Sequence, residues 1–146
     1  MEMHVEEVRP QTCPELAAEL ASAGLPVDDL ILPGRRFFRF WDGHAEPMGF
    51  IGVEALDADA ALLRSLVVVP GQRGRGLARP MTGWLLNQLR GEGVTEIWVL
   101  TTTIAEFVAR MGFDRVERAD APAVLRATRQ FSDLCPASAV LLHKTL

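Results

Sequence analysis

The sequence has no tyrosine, only two cysteines, and no apolar run near the roughly 18 residues that a membrane-spanning helix needs. Cys13 and Cys135 stand far apart, form no Cys-x-x-Cys pair and have no histidine at metal-binding spacing. That argues against a zinc site and against dependence on a disulfide, and no metal is expected. A basic excess is missing too: 15 Lys and Arg face 19 Asp and Glu, a net charge of −4, so no nucleic-acid-binding surface is expected. The acidic residues 1–7 do not read as a signal peptide, and the expected location is the cytoplasm, away from membranes. Internal repeats and low-complexity linkers are also absent. With 49% hydrophobic and 23% charged residues, the 146-residue chain falls in the ordinary globular class and is read as a single domain over residues 1–146.

What is present is organised around Leu66-Val67-Val68-Val69-Pro70-Gly71-Gln72-Arg73-Gly74-Arg75-Gly76-Leu77-Ala78. A β-branched apolar run stops at proline, a glycine-rich basic turn follows, and an amphipathic segment runs to about Arg90: strand, turn, helix. The first amides of a helix have no partner within it, and the aligned peptide dipoles leave roughly half a positive charge there, so the order makes an anion site. Gly74 and Gly76 let the backbone turn tightly against a bulky pyrophosphate, and Arg73, Arg75 and Arg79 add positive charge. No Gly-Lys-Ser or Gly-Lys-Thr follows, which argues against a nucleoside-triphosphate loop, and Arg79 stands where a dinucleotide fingerprint has its third glycine.

Around this centre the chain reads as alternating elements. Met3 to Val8 suggests a first strand. Thr12 looks like the N-cap of a helix carrying Leu16 and Leu20 and ending at Gly24. Strands are expected over residues 35–41 and 48–56, joined as a hairpin by Asp42-Gly43, and over residues 62–69. The helix after the turn presents Met81, Trp84, Leu85 and Leu89 on one face. Further strands are expected over residues 96–101, 113–118 and 139–144. Between them lie a helix over residues 104–111, capped by Thr102 or Thr103, and a short helix over residues 122–131. The sum is a mixed α/β layer fold.

Arg73 to Ala78 matches Arg/Gln-x-x-Gly-x-Gly/Ala, preceded by Leu66, Val68 and Pro70 as Leu-x-Val-x-Pro. This resembles the pyrophosphate loop of the GCN5-related N-acetyltransferase (GNAT) superfamily, which binds acetyl-coenzyme A. Ala105-Glu106-Phe107-Val108-Ala109-Arg110-Met111-Gly112-Phe113 is similar to that superfamily's later helix. The resemblance implies a twisted, mixed α+β sheet of about seven strands flanked by helices and split between the fourth and fifth strands. It also implies acetyl-CoA as cosubstrate, its pantetheine arm hydrogen-bonded to the main chain of Leu66, Val67 and Val68. The pyrophosphate would lie on Arg73, Gly74, Arg75, Gly76, Leu77 and Ala78, with Arg79 beside it. Thr102 falls in the threonine run where relatives place an asparagine against the pantetheine arm. Many relatives protonate the leaving thiolate with a tyrosine in the later helix; Val108 holds that place here. Another group or water supplies the proton, or a thiolate whose conjugate acid has a pKa near 8.5 leaves with little help. Residues 118–144, together with Leu62 to Val68, resemble a group of acetyltransferases associated with arsenic-resistance operons, some of which acetylate amino-acid-like antibiotics containing arsenic or phosphorus.

Direct acyl transfer needs a proton acceptor, a polarised carbonyl and a route for the thiolate. Glu54, late in its strand, is the candidate base, or else a solvent-facing strand-end glutamate. Ser65, on the central strand just before the cofactor-binding main chain, is the second catalytic candidate. Arg64 either forks onto a substrate carboxylate or phosphinate or pairs with Asp57 or Asp59. Arg35, with Arg36, is a substrate-binding candidate or an exposed strand end. Cys135 is a pocket thiol or a core cysteine. His4, His44 and His143 have no partners in sequence and are read as peripheral.

The sequence therefore predicts an acetyl-CoA-dependent N-acetyltransferase acting on a small amine, an anionic amino-acid-like toxin if the tail resemblance holds, by direct transfer without an acyl-enzyme. The resemblance implies that a homodimer is common. The alternatives are transfer to another small amine or a peptide N-terminus, a non-catalytic acyl-CoA sensor, and a dimeric scaffold without cofactor.

Overall fold

The computed structural model describes residues 2–134 and 138–146. Seven strands, β1 (Met3–Val8), β2 (Arg35–Asp42), β3 (Pro47–Ala55), β4 (Ala60–Val68), β5 (Glu96–Thr101), β6 (Asp114–Val116) and β7 (Val140–Thr145), form one sheet in the order β1-β2-β3-β4-β5-β7-β6. The helices are α1 (Pro14–Ser22), α2 (Ala78–Gly91), α3 (Ala105–Arg110) and α4 (Ala123–Arg126). The parallel β4–β5 ladder pairs Ala60 to Leu63 with Glu96 to Val99 and ends there, the split expected between the fourth and fifth strands. Among the described residues, no helix is long and apolar enough to cross a membrane. The chain packs as two compact units, residues 1–53 with 65–86, and residues 54–64 with 87–146.

In the first unit, alternation along β2 divides its side chains between two layers. Phe37 packs with Cys13, Leu16 and Leu20 at α1, with Phe50 of β3 and with Val67 of β4. Phe38 and Phe40 instead meet Trp84 of α2 edge-on, with ring centroids 5.3 and 5.6 Å apart. β3 and β4 run so close here that a Cβ on Gly49 would lie 2.0 Å from the Val67 carbonyl oxygen. Gly49→Ala must therefore push two strands apart. It is expected to cost about 1–3 kcal/mol and to lower Tm by about 3–9 °C, measurable by thermal unfolding.

The β2–β3 turn is closed by the Asp42 carboxylate, whose Oδ1 accepts the backbone N–H groups of His44 at 2.8 Å and Glu46 at 3.0 Å. These bonds, Glu46 first, hold the Asp42 carboxyl below the usual aspartate range. Because the folded-state value is the lower one, the stabilisation is present above the ordinary aspartate range and lost as pH falls through the folded value. The Tm difference between wild type and Asp42→Ala should thus be full at pH 7 and shrink below about pH 4.

The second unit packs Leu62, Leu100, Leu141, Ala121, Leu125 and Ala139 into a single apolar cluster. Ala60 to Arg64 are all buried, as suits a central strand. His143, read as peripheral, sits against Trp98 with ring centroids 4.4 Å apart and its Nε2 lies 2.6 Å from Glu96.

The strand expected over residues 113–118 is shorter, at Asp114–Val116, the ends of β2, β3, β4 and β7 shift by no more than two residues, and three helical features differ from the sequence reading. The N-cap of α1 is Cys13, one residue after Thr12, because Pro14 takes the first helical position. Burial pushes the Cys13 thiol up. At α3 the N-cap is Ile104, with no side-chain cap, in place of Thr102 or Thr103; the Thr101 hydroxyl closes the turn ahead of the helix by accepting the N–H groups of Thr103 and Ile104 at 3.2 and 3.1 Å. The single helix expected over residues 122–131 is two pieces, α4 and a π-helical turn at Gln130–Leu134. Thr128 separates them: its hydroxyl donates to the Leu125 carbonyl at 2.7 Å and accepts from the Phe131 N–H at 3.2 Å.

Candidate functional site

In the first unit, β4 ends at Val68, a 3-10 turn spans Pro70–Gln72, and the chain then swings through Gly74 and Gly76 into α2. Both glycines have left-handed φ, +82° and +71°, which side-chain-bearing residues adopt at a cost. Leu77, 2% exposed, anchors the turn in the core, while Arg73, Gly74, Arg75, Gly76 and Arg79 are exposed. The first hydrogen bond of α2 joins the Met81 N–H to the Leu77 carbonyl. The amides of Ala78 and Arg79 thus precede the ladder, and Pro80 has none to offer. First-turn amides ahead of the helical ladder, left-handed glycines and three arginines therefore share one turn.

The arginines are not loose. Arg73 Nε donates to the Val68 carbonyl at 2.9 Å. Arg75 Nη1 donates to Gln72 Oε1, and Gln72 Nε2 donates to Asp42 Oδ2 at 3.5 Å. Sequence reasoning missed the roles of Asp42 and Gln72, although Gln72 lies inside the motif. The Val67 carbonyl faces Gly49 on β3, so by strand alternation only Leu66 and Val68 turn their main chain to the opposite edge of β4. Val67 does not present its carbonyl to a ligand on that edge.

Ser65 has φ +58° in the middle of β4. This left-handed residue interrupts the alternation: Arg64 is buried, Ser65 and Leu66 are both half-buried, and Val67 is buried again, the signature of a bulge.

The second unit holds a buried ion pair. Arg64 Nη1 donates to Glu54 Oε1 at 3.2 Å, with the side chains 1% and 6% exposed. Glu54 is therefore no solvent-facing strand end, and it pairs with Arg64. Asp57 and Asp59 lie in the exposed turn, where the Asp59 N–H bonds the Asp57 carboxylate at 3.2 Å. In the first unit, Arg35 grips the fully buried Asp29, its Nη2 and Nε lying 3.0 and 3.3 Å from one carboxylate oxygen. Thr102 is exposed in the turn before α3, and Val108 is buried in α3. Cys135 lies outside the described residues.

The family model described as "Acetyltransferase (GNAT) family" matches residues 5–113. A sequence search of curated proteins found no match. Among solved structures, N-acetylglutamate synthase from Neisseria gonorrhoeae, complexed with coenzyme A and N-acetyl-glutamate, superposes with a TM-score of 0.79 at 17% identity over 100% of this chain and 35% of that one. This chain thus spans about a third of that synthase. A GNAT-family acetyltransferase from Staphylococcus aureus gives a TM-score of 0.74 at 17% identity, covering 99% of each chain. A Mycobacterium tuberculosis protein in complex with CoA gives 0.78 at 20% identity, covering 98% of this chain and 99% of that one. With the family model matching well over half of its length, the chain belongs to the GNAT family of acyl-CoA-dependent acetyltransferases.

Proposed function

We propose that this protein transfers an acetyl group from acetyl-CoA to the primary amine of a small, anionic, amino-acid-like molecule. The observation that carries the proposal is the β4–α2 turn, where left-handed Gly74 and Gly76 and exposed Arg73, Arg75 and Arg79 surround the first amides of α2. These groups would hold the pyrophosphate of the cosubstrate, and the main chain of Leu66 and Val68 would pair with its pantetheine arm.

The acceptor amine attacks the thioester carbonyl carbon, the C–S bond breaks, and coenzyme A leaves as a thiolate. The proton lost by the attacking nitrogen passes to Glu54, directly or through water, and Arg64 holds that carboxylate in place. Ser65, next in the chain, contributes its hydroxyl at the reacting carbonyl. With Val108 in α3 and no phenol in the chain, the thiolate departs unassisted, which a conjugate acid of pKa near 8.5 permits. The anionic acceptor class is supported by the product bound to the N. gonorrhoeae synthase, an N-acetylated acidic amino acid, and by the resemblance of residues 118–144 to acetyltransferases of arsenic-resistance operons. An amino-acid-like arsenical belongs to that class. Arg35 is committed to Asp29, which leaves it the weakest of the acceptor-binding candidates.

The test is release of free thiol from acetyl-CoA with a panel of amines. Release with anionic amino-acid-like amines, and little with polyamines or peptide N-termini, is the expected result. The absence of a tyrosine favours one second reading, a non-catalytic acyl-CoA sensor. Tight CoA binding without thiol release on any amine would establish that reading and reject the first.

A further inference from the structure

We propose that Asp42, at the end of β2, is a positioning residue for the cofactor turn and acts on Arg75 through Gln72. The inference rests on the cofactor role proposed for that turn and adds a control element outside it.

The contacts form a directional chain. Asp42 uses Oδ1 for the two backbone amides of its own turn and Oδ2 for the Gln72 amide nitrogen. Gln72 then accepts from Arg75 at its amide oxygen. A primary amide suits the middle place because one end donates to a carboxylate and the other accepts from a guanidinium. Glutamate there would meet Asp42 charge against charge, and lysine would repel Arg75. Among the described residues Arg75 bonds Gln72 through Nη1 alone and is otherwise exposed, so its remaining N–H groups can meet an anion.

A free arginine side chain samples many rotamers and loses that freedom when it grips a phosphate. Fixing it beforehand removes part of the loss, worth about fivefold in affinity for one rotamer-rich side chain. Asp42 therefore tunes cofactor affinity from a strand that need not touch the ligand.

Coenzyme A binding by calorimetry tests this on the full chain. Gln72→Met removes both ends of the bridge at a half-buried position, and Asp42→Asn removes the Oδ2 acceptor while an amide oxygen remains for the turn. Each should weaken CoA binding about fivefold; Gln72→Met should leave Tm nearly unchanged, whereas Asp42→Asn, like protonation of Asp42, gives up the charge-assisted part of its turn bonds and lowers Tm. In an Arg75→Ala background, Gln72→Met should have no further effect, a result that a merely structural role for Gln72 would not produce. The relay is overturned if Gln72→Met binds CoA within twofold of wild type, or if it weakens binding equally with and without Arg75. Gly76→Asp, run alongside, separates the two levels. If it binds CoA like wild type, the cofactor role of the turn fails; if it has lost binding while Gln72→Met has not, only the relay fails.

Discussion

Replacing Gly76 with aspartate is expected to abolish coenzyme A binding while the protein remains folded. The new carboxylate would stand in the turn that opens α2, where the phosphates are proposed to sit. Two unit charges about 4 Å apart at an effective dielectric near 20 repel by about 4 kcal/mol, close to a thousandfold in affinity. Folding should suffer little, because a Cβ at Gly76 meets nothing within 4 Å. The remaining penalty is the left-handed φ of +71°, about 1 kcal/mol for a residue with a side chain and less for Asp and Asn than for most. Tm should fall by about 3 °C. Gly76→Asn separates charge from strain, since it carries the same backbone penalty without the negative charge. It should retain most binding by calorimetry while matching the Tm of Gly76→Asp. Wild-type affinity in Gly76→Asp would refute the placement of the phosphates.

The second large effect is expected at Arg64. Arg64→Ala leaves the Glu54 carboxylate buried without the guanidinium that neutralises it, and breaking a buried pair from one side typically costs about 3–5 kcal/mol. For a chain of this length that corresponds to a Tm lower by about 10–15 °C. Removing both charges is a different experiment. Glu54→Leu combined with Arg64→Met substitutes apolar groups of similar bulk and should recover at least half of the lost stability, since a buried ion pair seldom outperforms good apolar packing. The double variant should nevertheless release no thiol from acetyl-CoA, having lost the proposed base. Thermal unfolding and thiol release on these two variants and the wild type check both halves. Catalysis surviving in the double variant would remove Glu54 from the mechanism.

The fold was legible in the sequence where local chemistry and tertiary packing agree. β1 and β5 fall where alternation and flanking residues place them, at Met3–Val8 and Glu96–Thr101, and the glycine turn is marked by residues with hardly any other use. The caps were misplaced: α1 has Cys13 at its N-cap where Thr12 was expected, and α3 has Ile104 where Thr102 or Thr103 was expected. Several adjacent residues could cap there, and the proline and the local turn decide among them. The site was less legible because its pairings cross elements. Arg64 and Glu54 are ten residues apart, on opposite arms of a hairpin closed by the Leu56 N–H on the Ala60 carbonyl. Sequence proximity favoured Asp57 and Asp59, which lie at the hairpin tip where water already solvates them. The edge of β4 to which Val67 turns its carbonyl depends on strand register and on the Ser65 bulge, and neither leaves a compositional mark.

The interleaving of the two compact units bears on how this protein can be divided. A fragment starting after α2 would carry β5 without Ala60 to Leu63, the stretch that hydrogen-bonds to it, and would expose a bare apolar strand edge to other copies of itself. Tags, cleavage sites or split-reporter halves introduced between residues 65 and 86 should therefore yield insoluble pieces, whereas the exposed β2–β3 turn, local to one unit, is the place to open the chain.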